Sequence, residues 1–410
     1  SVTGEAGTAT LVSNTERMAV NGAFLANCRR YKFTWLGGGI EDWYLAPDVG
    51  FVQIGQADAF TLSSFQVNNT LPLSTAGVRA AECPAIGIDP NPAAYGDYSD
   101  PGLKTELDRT FESGSRYLSI SATWTELEPS PGVFALDRIR KIAAWASQKG
   151  MTASLTLRAV DTNGPLFPDD LKGKAMDDAL VLRRLSDLLT AITPVMPAVR
   201  YFHLANEADI YLQNHQDQIP AFRTFFAVGQ SELRRGRPGA STGIVYAFHN
   251  VRLNSLVFDR TKDLGDHVGY TYYPLGVGLM QRNPSAASAD LTDLVRSSNG
   301  RQILITELGF SSSREVNGSP ELQGQFYENT FRALAQNSGT VVAANFFLKS
   351  DIHPVVLSSL VSSYGLWAGS PFSNFLSGLG TVDLNGGPKP AWYAFQSGAG
   401  RFLQPTACRR

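Results

Sequence analysis

Tyr201-Phe-His-Leu-Ala-Asn-Glu207 is a short apolar run that ends on a carboxylate, and Gln302-Ile-Leu-Ile-Thr-Glu307 repeats the pattern further along the chain. Both runs predict buried strands of a parallel sheet, because strands covered on both faces are apolar throughout. In each run the glutamate comes where the strand gives way to a polar loop. Parallel α/β barrels keep their chemistry at this end of the strands, so the two glutamates are candidates for one shared site.

The same alternation of strands and helices extends over most of the chain. Eight short strands are predicted at residues 84–89, 116–124, 152–160, 199–206, 243–248, 267–273, 302–306 and 341–348. Amphipathic helices are predicted in most of the intervals, and a closing helix is predicted at residues 390–402. Crossover helices between short apolar strands imply a parallel sheet. Eight such units imply an α/β fold that closes into a (β/α)8 TIM barrel.

Residues 1–80 do not share this alternation. They are rich in Gly, aromatic and β-branched residues, as in Tyr31-Lys-Phe-Thr-Trp35, Gly50-Phe-Val-Gln-Ile54 and Phe60-Thr-Leu-Ser-Ser-Phe65. Such segments predict short antiparallel strands. We therefore expect an N-terminal β-rich extension that packs on the barrel, and a catalytic barrel formed by residues 81–410. A separate sugar-binding module is the alternative, although no Pro/Ser-rich linker follows this segment.

The composition favours a globular protein and gives no sign of a nucleic-acid partner. Of 410 residues, 43% are hydrophobic and 18% are charged, and the formal net charge is −2. A chain so nearly neutral lacks the basic character that attracts phosphate backbones. No apolar run approaches the roughly 18–20 residues that span a membrane. The sequence does not indicate an oligomeric state.

The first residue and the cysteines bear on the compartment. The chain begins at Ser1 rather than Met, which is typical of a secreted, periplasmic or cell-surface protein after removal of its signal peptide; a trimmed sequence has the same appearance. The three cysteines, Cys28, Cys83 and Cys408, are too few for a disulfide scaffold and match neither a zinc site nor a redox pair. They permit one bridge that ties down an end of the chain, with the pairing left open.

Two carboxylates meet the needs of glycosidic bond cleavage, in which one group donates a proton and the other attacks the sugar or activates water. A proton donor needs a pKa raised toward neutrality, by burial or by a nearby negative charge. Glu207 is the candidate for this role. Glu307 is the candidate nucleophile and must stay ionised, so it needs hydrogen-bond donors. Tyr272 or Tyr273, at the end of strand six, can supply one.

These residues resemble the clan A glycoside hydrolases, the retaining (β/α)8 enzymes, in which Asn-Glu ends strand four and Glu ends strand seven. The stretch Trp124-Thr-Glu-Leu-Glu-Pro-Ser-Pro-Gly-Val-Phe134 is similar to the clan's loop after strand two. Tyr-Tyr-Pro274 is similar to the endo-β-1,4-galactanases of that clan. The resemblance implies that Glu207 is the acid/base, Glu307 the nucleophile and Asn206 the contact to the sugar 2-hydroxyl. It also implies that one of the two tyrosines orients the nucleophile.

Two departures from the clan pattern leave the substrate open. Strand three ends in Leu157-Arg-Ala-Val-Asp161, without the aromatic-acidic pattern of the galactanases. Strand eight, Asn345-Phe-Phe-Leu-Lys349, lacks the Trp that many clan members place under the sugar. The loops after strands six and eight contain no readable code for the sugar, the linkage, or internal against terminal cleavage.

Further residues at strand ends and in loops are predicted to contact the substrate. The full set is Asn206, Tyr272, Tyr273, Arg158, Trp124, His249, Trp367 and Lys349. Several have structural alternatives: Arg158 can hold a carboxylate in place, and Trp124 can be simple packing. Asp89 and Asp161 also end strands and can bind a terminal sugar. We interpret Glu128 as a solvated loop charge and His203 as a residue of the core or helix layer.

The predicted function is a retaining β-glycoside hydrolase that cleaves a β-linked poly- or oligosaccharide by double displacement, without a cofactor or metal. Retention predicts that the two carboxyl groups lie about 5–5.5 Å apart. One alternative is a non-catalytic carbohydrate-binding TIM barrel. The other is a metal-dependent barrel of the sugar-isomerase type, with His203, Glu207 and Asp209 as ligands.

Overall fold

The computed structural model describes residues 2–4, 7–20, 23–35, 40–46, 50–54, 60–61, 83–95, 99–404 and 408. The chain divides into two compact units, Ser1–Ala80 and Ala81–Arg410. In the first unit six strands form an antiparallel sheet in chain order: Val2–Gly4, Gly7–Val20, Ala23–Trp35, Ile40–Ala46, Gly50–Ile54 and Phe60–Thr61. The predicted strand at residues 60–65 continues beyond residue 61 into positions outside the described residues. The packing of this extension on the barrel stays a prediction.

The second unit contains an eight-stranded parallel sheet. Its strands one to eight are Ala85–Ile88, Tyr117–Thr123, Thr152–Arg158, Tyr201–Asn206, Ser241–Ala247, His267–Tyr272, Ile303–Leu308 and Val341–Phe346. Strands two to eight are neighbours in chain order, and strand eight pairs with strand one. Between strands one and two, the Arg116 N–H donates to the Ile86 carbonyl (2.6 Å). The sheet is therefore a nearly closed barrel, which confirms the predicted (β/α)8 fold.

Helices surround these strands and cover their apolar outer faces. They are Asp100–Glu112, Trp124–Leu127, Asp137–Gln148, Ala179–Val195, Ala208–Asn214, Ile219–Gly236, Phe248–Leu253, Leu256–Thr261, Ala286–Ser297, Pro320–Gln336, Pro354–Ser363, Pro371–Ser377 and Pro390–Phe402. The helix after strand two buries Ile139, Ala143 and Ala146, which recur at helical spacing. Gly150 follows it with φ +67°, a left-handed conformation that costs glycine no Cβ clash. In the described ranges, no helix has both the length and the apolar character to cross a membrane.

Packed side chains fill the barrel below its C-terminal mouth. His203 and His267 lie edge to face, with ring centroids 4.8 Å apart. Two glycines make room for them: a Cβ at Gly243 would lie 2.5 Å from Nε2 of His267, and one at Gly269 would lie 3.1 Å from the His203 ring. His203 therefore belongs to the core, as predicted. The lower barrel is therefore a packed core, and a site for a ligand is expected at the C-terminal ends of the strands.

A disulfide joins Cys83 to Cys408. It connects the residue two positions before strand one to the segment that follows the closing helix, Pro390–Phe402. The sequence left the pairing open, and the structure resolves it as the bridge that ties down the C-terminal end of the barrel unit. A covalent link across 325 residues removes conformational freedom from the unfolded chain.

Candidate active site

A cavity of about 910 Å³ opens at the C-terminal ends of the barrel strands, and we call it the mouth cavity. Its lining includes polar residues from the ends of five strands: Asp89, Arg158, Asn206, Glu207, Tyr273 and Glu307. The predicted catalytic pair and the predicted Asn206 contact thus share one cavity. Parallel strands bring their carboxyl ends to one edge of the sheet, so residues far apart in sequence meet there.

Glu207 occupies a sharp turn between strand four and the helix Ala208–Asn214. Its backbone is left-handed, with φ 49° and ψ 28°, which is uncommon for a residue with a side chain. The Glu207 N–H still donates to the Val245 carbonyl of strand five (2.8 Å), so the turn begins directly at the sheet. The turn interrupts the strand alternation, and adjacent Asn206 and Glu207 both reach the mouth cavity.

The surroundings of Glu207 favour its protonated form. Burial and, as a smaller effect, the negative charge of Glu307 raise the pKa of this carboxyl to about 8. The Thr271 hydroxyl donates to Oε1 of Glu207, which lowers the pKa without overcoming the burial. Thr271 lies in register with Glu307 on the neighbouring strand. At neutral pH this site therefore holds a proton that Glu207 can donate.

The surroundings of Glu307 include two groups that stabilise its charge. Burial raises the pKa of Glu307, but the Tyr273 hydroxyl donates to its Oε2 (2.9 Å) and the Arg158 guanidinium attracts the carboxylate. Both contacts act against the effect of burial. The two carboxyls thus have unequal environments: burial raises the pKa of both, but Glu307 has more groups that stabilise its charge, so the proton is favoured on Glu207.

Arg158 is held in the mouth cavity by Asp161. Its Nε donates to Oδ2 of Asp161 (2.5 Å), and the Thr162 N–H donates to Oδ1 of the same carboxylate (2.7 Å). Nη2 of Arg158 also reaches the Tyr364 hydroxyl (3.5 Å). The interpretation that Arg158 holds a carboxylate is confirmed, whereas its contact with a substrate stays a prediction, for which its position in the cavity lining leaves room.

The structure separates the two adjacent tyrosines. Tyr273 points into the mouth cavity and binds Glu307, whereas the Tyr272 hydroxyl donates to Asp290 (3.0 Å) in the helix layer. Successive residues of a strand face opposite sides of the sheet, so only one of the two tyrosines can reach Glu307. The prediction that Tyr272 contacts substrate is therefore corrected.

Trp124 also lies away from the cavity. It is fully buried, packs edge-on against Phe167 with centroids 5.3 Å apart, and donates from Nε1 to Glu128 (2.7 Å). Glu128 is buried too, and it forms an ion pair with Arg184 at 2.6 Å. The predictions of Trp124 as a substrate contact and of Glu128 as a solvated loop charge are both wrong. A distant arginine, which local sequence does not reveal, holds this pair inside.

Two further predicted contacts lie outside the mouth cavity. Lys349 forms an ion pair with Glu106 and lines a separate cavity of about 430 Å³ beside Trp392. Trp367 is 67% exposed and does not line the mouth cavity, although its neighbour Leu366 does. Lys349 comes after strand eight, as several lining residues come after their own strands. Its side chain, however, pairs with Glu106, a buried carboxylate of the helix Asp100–Glu112.

His249 and Asp89 line the mouth cavity as predicted for strand-end residues. Burial lowers the pKa of His249, so the imidazole is neutral at pH 7. Asn345 donates to Oδ1 of Asp89 (2.8 Å), while burial raises the pKa of Asp89 well above its usual range. Neutral donors and acceptors of this kind suit hydroxyl groups of a sugar.

The three residues of the metal alternative do not converge. His203 bonds to Thr156 in the barrel core, and Asp209 accepts from the Ala247 N–H (3.0 Å) and from Asn250 (2.8 Å). Glu207 instead faces the mouth cavity. In the described part of the chain, no group of three or more His, Cys, Asp or Glu side chains is arranged to hold a metal ion.

Apolar side chains from the loops after strands six and eight form the part of the site that the sequence did not indicate. Lining residues of this kind include Leu275, Leu279, Leu360, Leu366, Phe372 and Phe375. For the loop after strand eight, one sequence signal is available: residues 352–382 contain no Asp, Glu, Lys or Arg. A buried core segment has the same composition, so the sequence alone does not place these residues at the site.

Comparisons with known proteins concern the fold. No protein-family model matches this sequence, and no curated protein matches it either. A GH5_18 protein from Streptomyces cattleya, solved in complex with Manβ1-4GlcNAc, is 15% identical, with a TM-score of 0.64, over 80% of this chain and 83% of that one. GH5_18 from Bifidobacterium longum subsp. longum is 15% identical, with a TM-score of 0.63, over 79% of this chain and 80% of that one. An exo-β-1,4-mannosidase from Opitutaceae bacterium strain TAV5 is 17% identical, with a TM-score of 0.62, over 80% of this chain and 60% of that one.

The barrel has the fold of the clan A glycoside hydrolases. The resemblance drawn from Asn206, Glu207 and Glu307 is thereby confirmed at the level of the fold. The exact family stays open, because these identities are low over most of each chain.

Replacement of Glu207 by Gln tests the buried proton. A carboxyl whose pKa rises from an ordinary value near 4.5 to about 8 on folding binds its proton more tightly in the folded state. The stability it contributes is complete below its unfolded pKa and is lost as pH rises through 8. We expect Glu207→Gln to raise the free energy of unfolding at pH 9, relative to the unmodified chain, by about 2–4 kcal/mol, and to change it little at pH 4.

Urea unfolding at both pH values measures this difference. Glu126→Gln is the matched control, because Glu126 also borders the mouth cavity but belongs to a capping box with Thr123 that Gln can preserve. Parallel pH dependence in Glu207→Gln and the unmodified chain would contradict the raised pKa.

Proposed function

We propose that this chain is a retaining β-glycoside hydrolase. The observation that carries the proposal is the pair of buried carboxyls with unequal environments in one cavity. Glu207 is favoured in its protonated form, whereas Tyr273 and Arg158 stabilise the charge of Glu307. Double displacement requires this division, since one carboxyl must donate a proton while the other attacks. The clan A fold adds support.

In the first step, Glu307 attacks the anomeric carbon of the bound sugar. The bond from that carbon to the departing oxygen breaks, and the proton of Glu207 moves to this oxygen. The sugar is then joined to Glu307 as an ester, and Glu207 is left as a carboxylate. Loss of the charge on Glu307 relieves the repulsion between the two groups, so Glu207 can hold its negative charge at this stage.

In the second step, Glu207 acts as the base. It takes a proton from a water molecule, and the resulting hydroxide attacks the anomeric carbon from the face that the departing group left. The ester bond breaks and Glu307 regains its charge beside Tyr273 and Arg158. Two displacements on the same carbon retain its configuration. Asn206, next to the acid, is the proposed contact to the sugar 2-hydroxyl.

The proposed substrate contains a β-linked sugar. Related folds include an exo-β-1,4-mannosidase and a GH5_18 protein solved with Manβ1-4GlcNAc, so β-mannosides are a sensible first set to assay. A cavity of about 910 Å³ accommodates a ligand of two or three sugar-sized groups. We also propose a secreted, periplasmic or cell-surface location. The Cys83–Cys408 disulfide supports this, because such bridges persist in oxidising compartments.

Glu307→Gln tests the proposed function directly. An amide cannot form the glycosyl ester, so we expect turnover of an activated aryl β-glycoside to fall by roughly 10³–10⁶-fold. Glu126→Gln serves again as the control and should retain activity. A panel of aryl glycosides identifies the sugar first. Undiminished turnover by Glu307→Gln would refute the nucleophile assignment, and sugar binding without turnover by the unmodified chain would favour a non-catalytic barrel instead.

The pH profile tests the role of each carboxyl. We expect kcat/KM to fall above about pH 8, where Glu207 loses its proton, and to fall in acid where Glu307 gains one. Tyr273→Phe removes a hydrogen bond to the charged form of Glu307. It should shift the acidic limb to higher pH and lower kcat/KM by about 10–100-fold.

Tyr272→Phe is the matched control for this experiment. It removes the neighbouring hydroxyl, which bonds to Asp290 outside the cavity, and should leave the acidic limb in place. An acidic limb that moves equally in both tyrosine variants would contradict the assignment of Tyr273 to the nucleophile.

A further inference from the structure

The mouth cavity has two chemically different sides. The glutamates, Arg158, Asn206 and His249 provide a polar side. The loops after strands six and eight provide the other, which we call the apolar wall: Leu275, Leu279, Leu360, Leu366, Phe372 and Phe375. Strand two and the helices Asp100–Glu112 and Asp137–Gln148 add further apolar lining, including Leu107, Leu118 and Ile139. A ligand that fills the cavity therefore meets both hydrogen-bonding groups and hydrocarbon.

The apolar wall begins at the nucleophile. The Tyr273 ring, whose hydroxyl binds Glu307, packs edge-on against Phe375 with centroids 5.2 Å apart. Leu275, Leu279, Leu360 and Phe372 belong to the same apolar cluster as Tyr273. Through Tyr273, this surface adjoins the Glu307 carboxyl. A group attached to the sugar at the cleaved bond can thus reach the wall directly.

The apolar wall is also accessible. Leu366 is 37% exposed, Leu279, Leu360 and Phe372 are partly exposed, and Leu275 and Phe375 are buried side chains that border the cavity. Residues 352–382 contain no Asp, Glu, Lys or Arg, although this segment borders an open cavity. Apolar side chains that border an open cavity are candidates for contact with a ligand.

The chemistry of the wall suits a hydrocarbon better than a second sugar. Sugar hydroxyls need hydrogen-bond partners when they leave water, and leucine side chains provide none. Aromatic platforms can compensate; in the described lining of the mouth cavity they are Tyr and Phe rings, because Trp124 is buried elsewhere and Trp367 lies outside. The apolar wall consists of four leucines and two phenylalanines, and none of these side chains can form a hydrogen bond with a sugar hydroxyl.

We propose that the group cleaved from the sugar is an apolar aglycone, an alkyl or aryl chain that packs on the apolar wall. The substrate class is then an amphipathic β-glycoside, with its sugar on the polar side of the cavity. Cleavage breaks the bond between the anomeric carbon and the aglycone oxygen, and the proton from Glu207 converts the aglycone into a free alcohol. This inference rests on the proposed hydrolase function and specifies its substrate.

Binding to the Glu307→Gln chain tests the proposal without cleavage. Calorimetry measures the dissociation constants of hexyl and methyl β-glycosides of glucose, mannose and galactose, below the micelle concentration. Burial of one methylene is worth about 4-fold in affinity, so we expect a hexyl glycoside to bind at least 10-fold more tightly than its methyl counterpart. A Leu360→Asn/Leu366→Asn double substitution in the same background should remove most of this preference.

Val355→Asn is the matched control, because Val355 lies on the same helix as Leu360 but outside the cavity lining. Leu366→Asn alone, at a position already partly exposed, replaces the double variant if that variant fails to fold. Equal affinities for hexyl and methyl glycosides, a preference unchanged by Leu366→Asn, or tighter binding of a β-linked disaccharide than of the hexyl glycoside would each overturn the proposal.

Turnover by the unmodified chain distinguishes a failure of the proposed hydrolase function from a failure of the proposed role of the apolar wall. Hydrolysis that depends on Glu307 but has equal kcat/KM for hexyl and methyl glycosides would retain the hydrolase and overturn the role of the apolar wall. Tight, Leu366-dependent binding of the hexyl glycoside without any hydrolysis would refute the proposed function and support the wall as a hydrocarbon site.

Discussion

Two carboxyl groups buried in one cavity repel each other when both are ionised, and this repulsion is the constraint on which the site depends. Removing a carboxylate from water is costly, and a second negative charge nearby increases the cost. The site therefore holds a proton at neutral pH. Its position follows from the neighbours: Tyr273 and Arg158 stabilise charge on Glu307, whereas among the described residues the Thr271 hydroxyl is the group that stabilises charge on Glu207.

The barrel serves this arrangement at several levels. Parallel pairing aligns strands four and seven so that their carboxyl ends open on the same mouth. The left-handed backbone at Glu207 lets adjacent Asn206 and Glu207 face one cavity. Asp161 fixes Arg158 where its charge reaches Glu307. Each element is ordinary alone, but together they make two glutamates chemically unequal.

The sequence was sufficient for the barrel and for the placement of Glu207 and Glu307 in one cavity, because both leave local signals. Apolar runs of strand length, separated by helices, define the eight units, and each glutamate is attached to the end of its own run. Side-chain direction was harder. Side chains along a strand alternate between the two faces of the sheet, so the choice between Tyr272 and Tyr273 depends on which residue begins the alternation. An error of one residue in that starting point exchanges the faces of the two tyrosines.

The errors arose where distant partners decide a side chain's position. Trp124 and Glu128 are buried because Arg184, on another helix, completes their bonding. Lys349 turns toward Glu106 for the same reason. The apolar wall was missed because leucines that line a cavity and leucines in a core have the same sequence pattern. Only the fold shows that residues 352–382 border the site.

Covalent trapping of the nucleophile tests the central claim, that Glu307 attacks while Glu207 carries the proton. The chain is incubated with 2-deoxy-2-fluoro glycosyl fluorides of several sugars, digested, and examined by peptide mass spectrometry. The account predicts one glycosyl adduct, on the peptide that contains Glu307, and none in Glu307→Gln. An adduct on Glu207, or turnover of these sugars with no trapped ester, would contradict it.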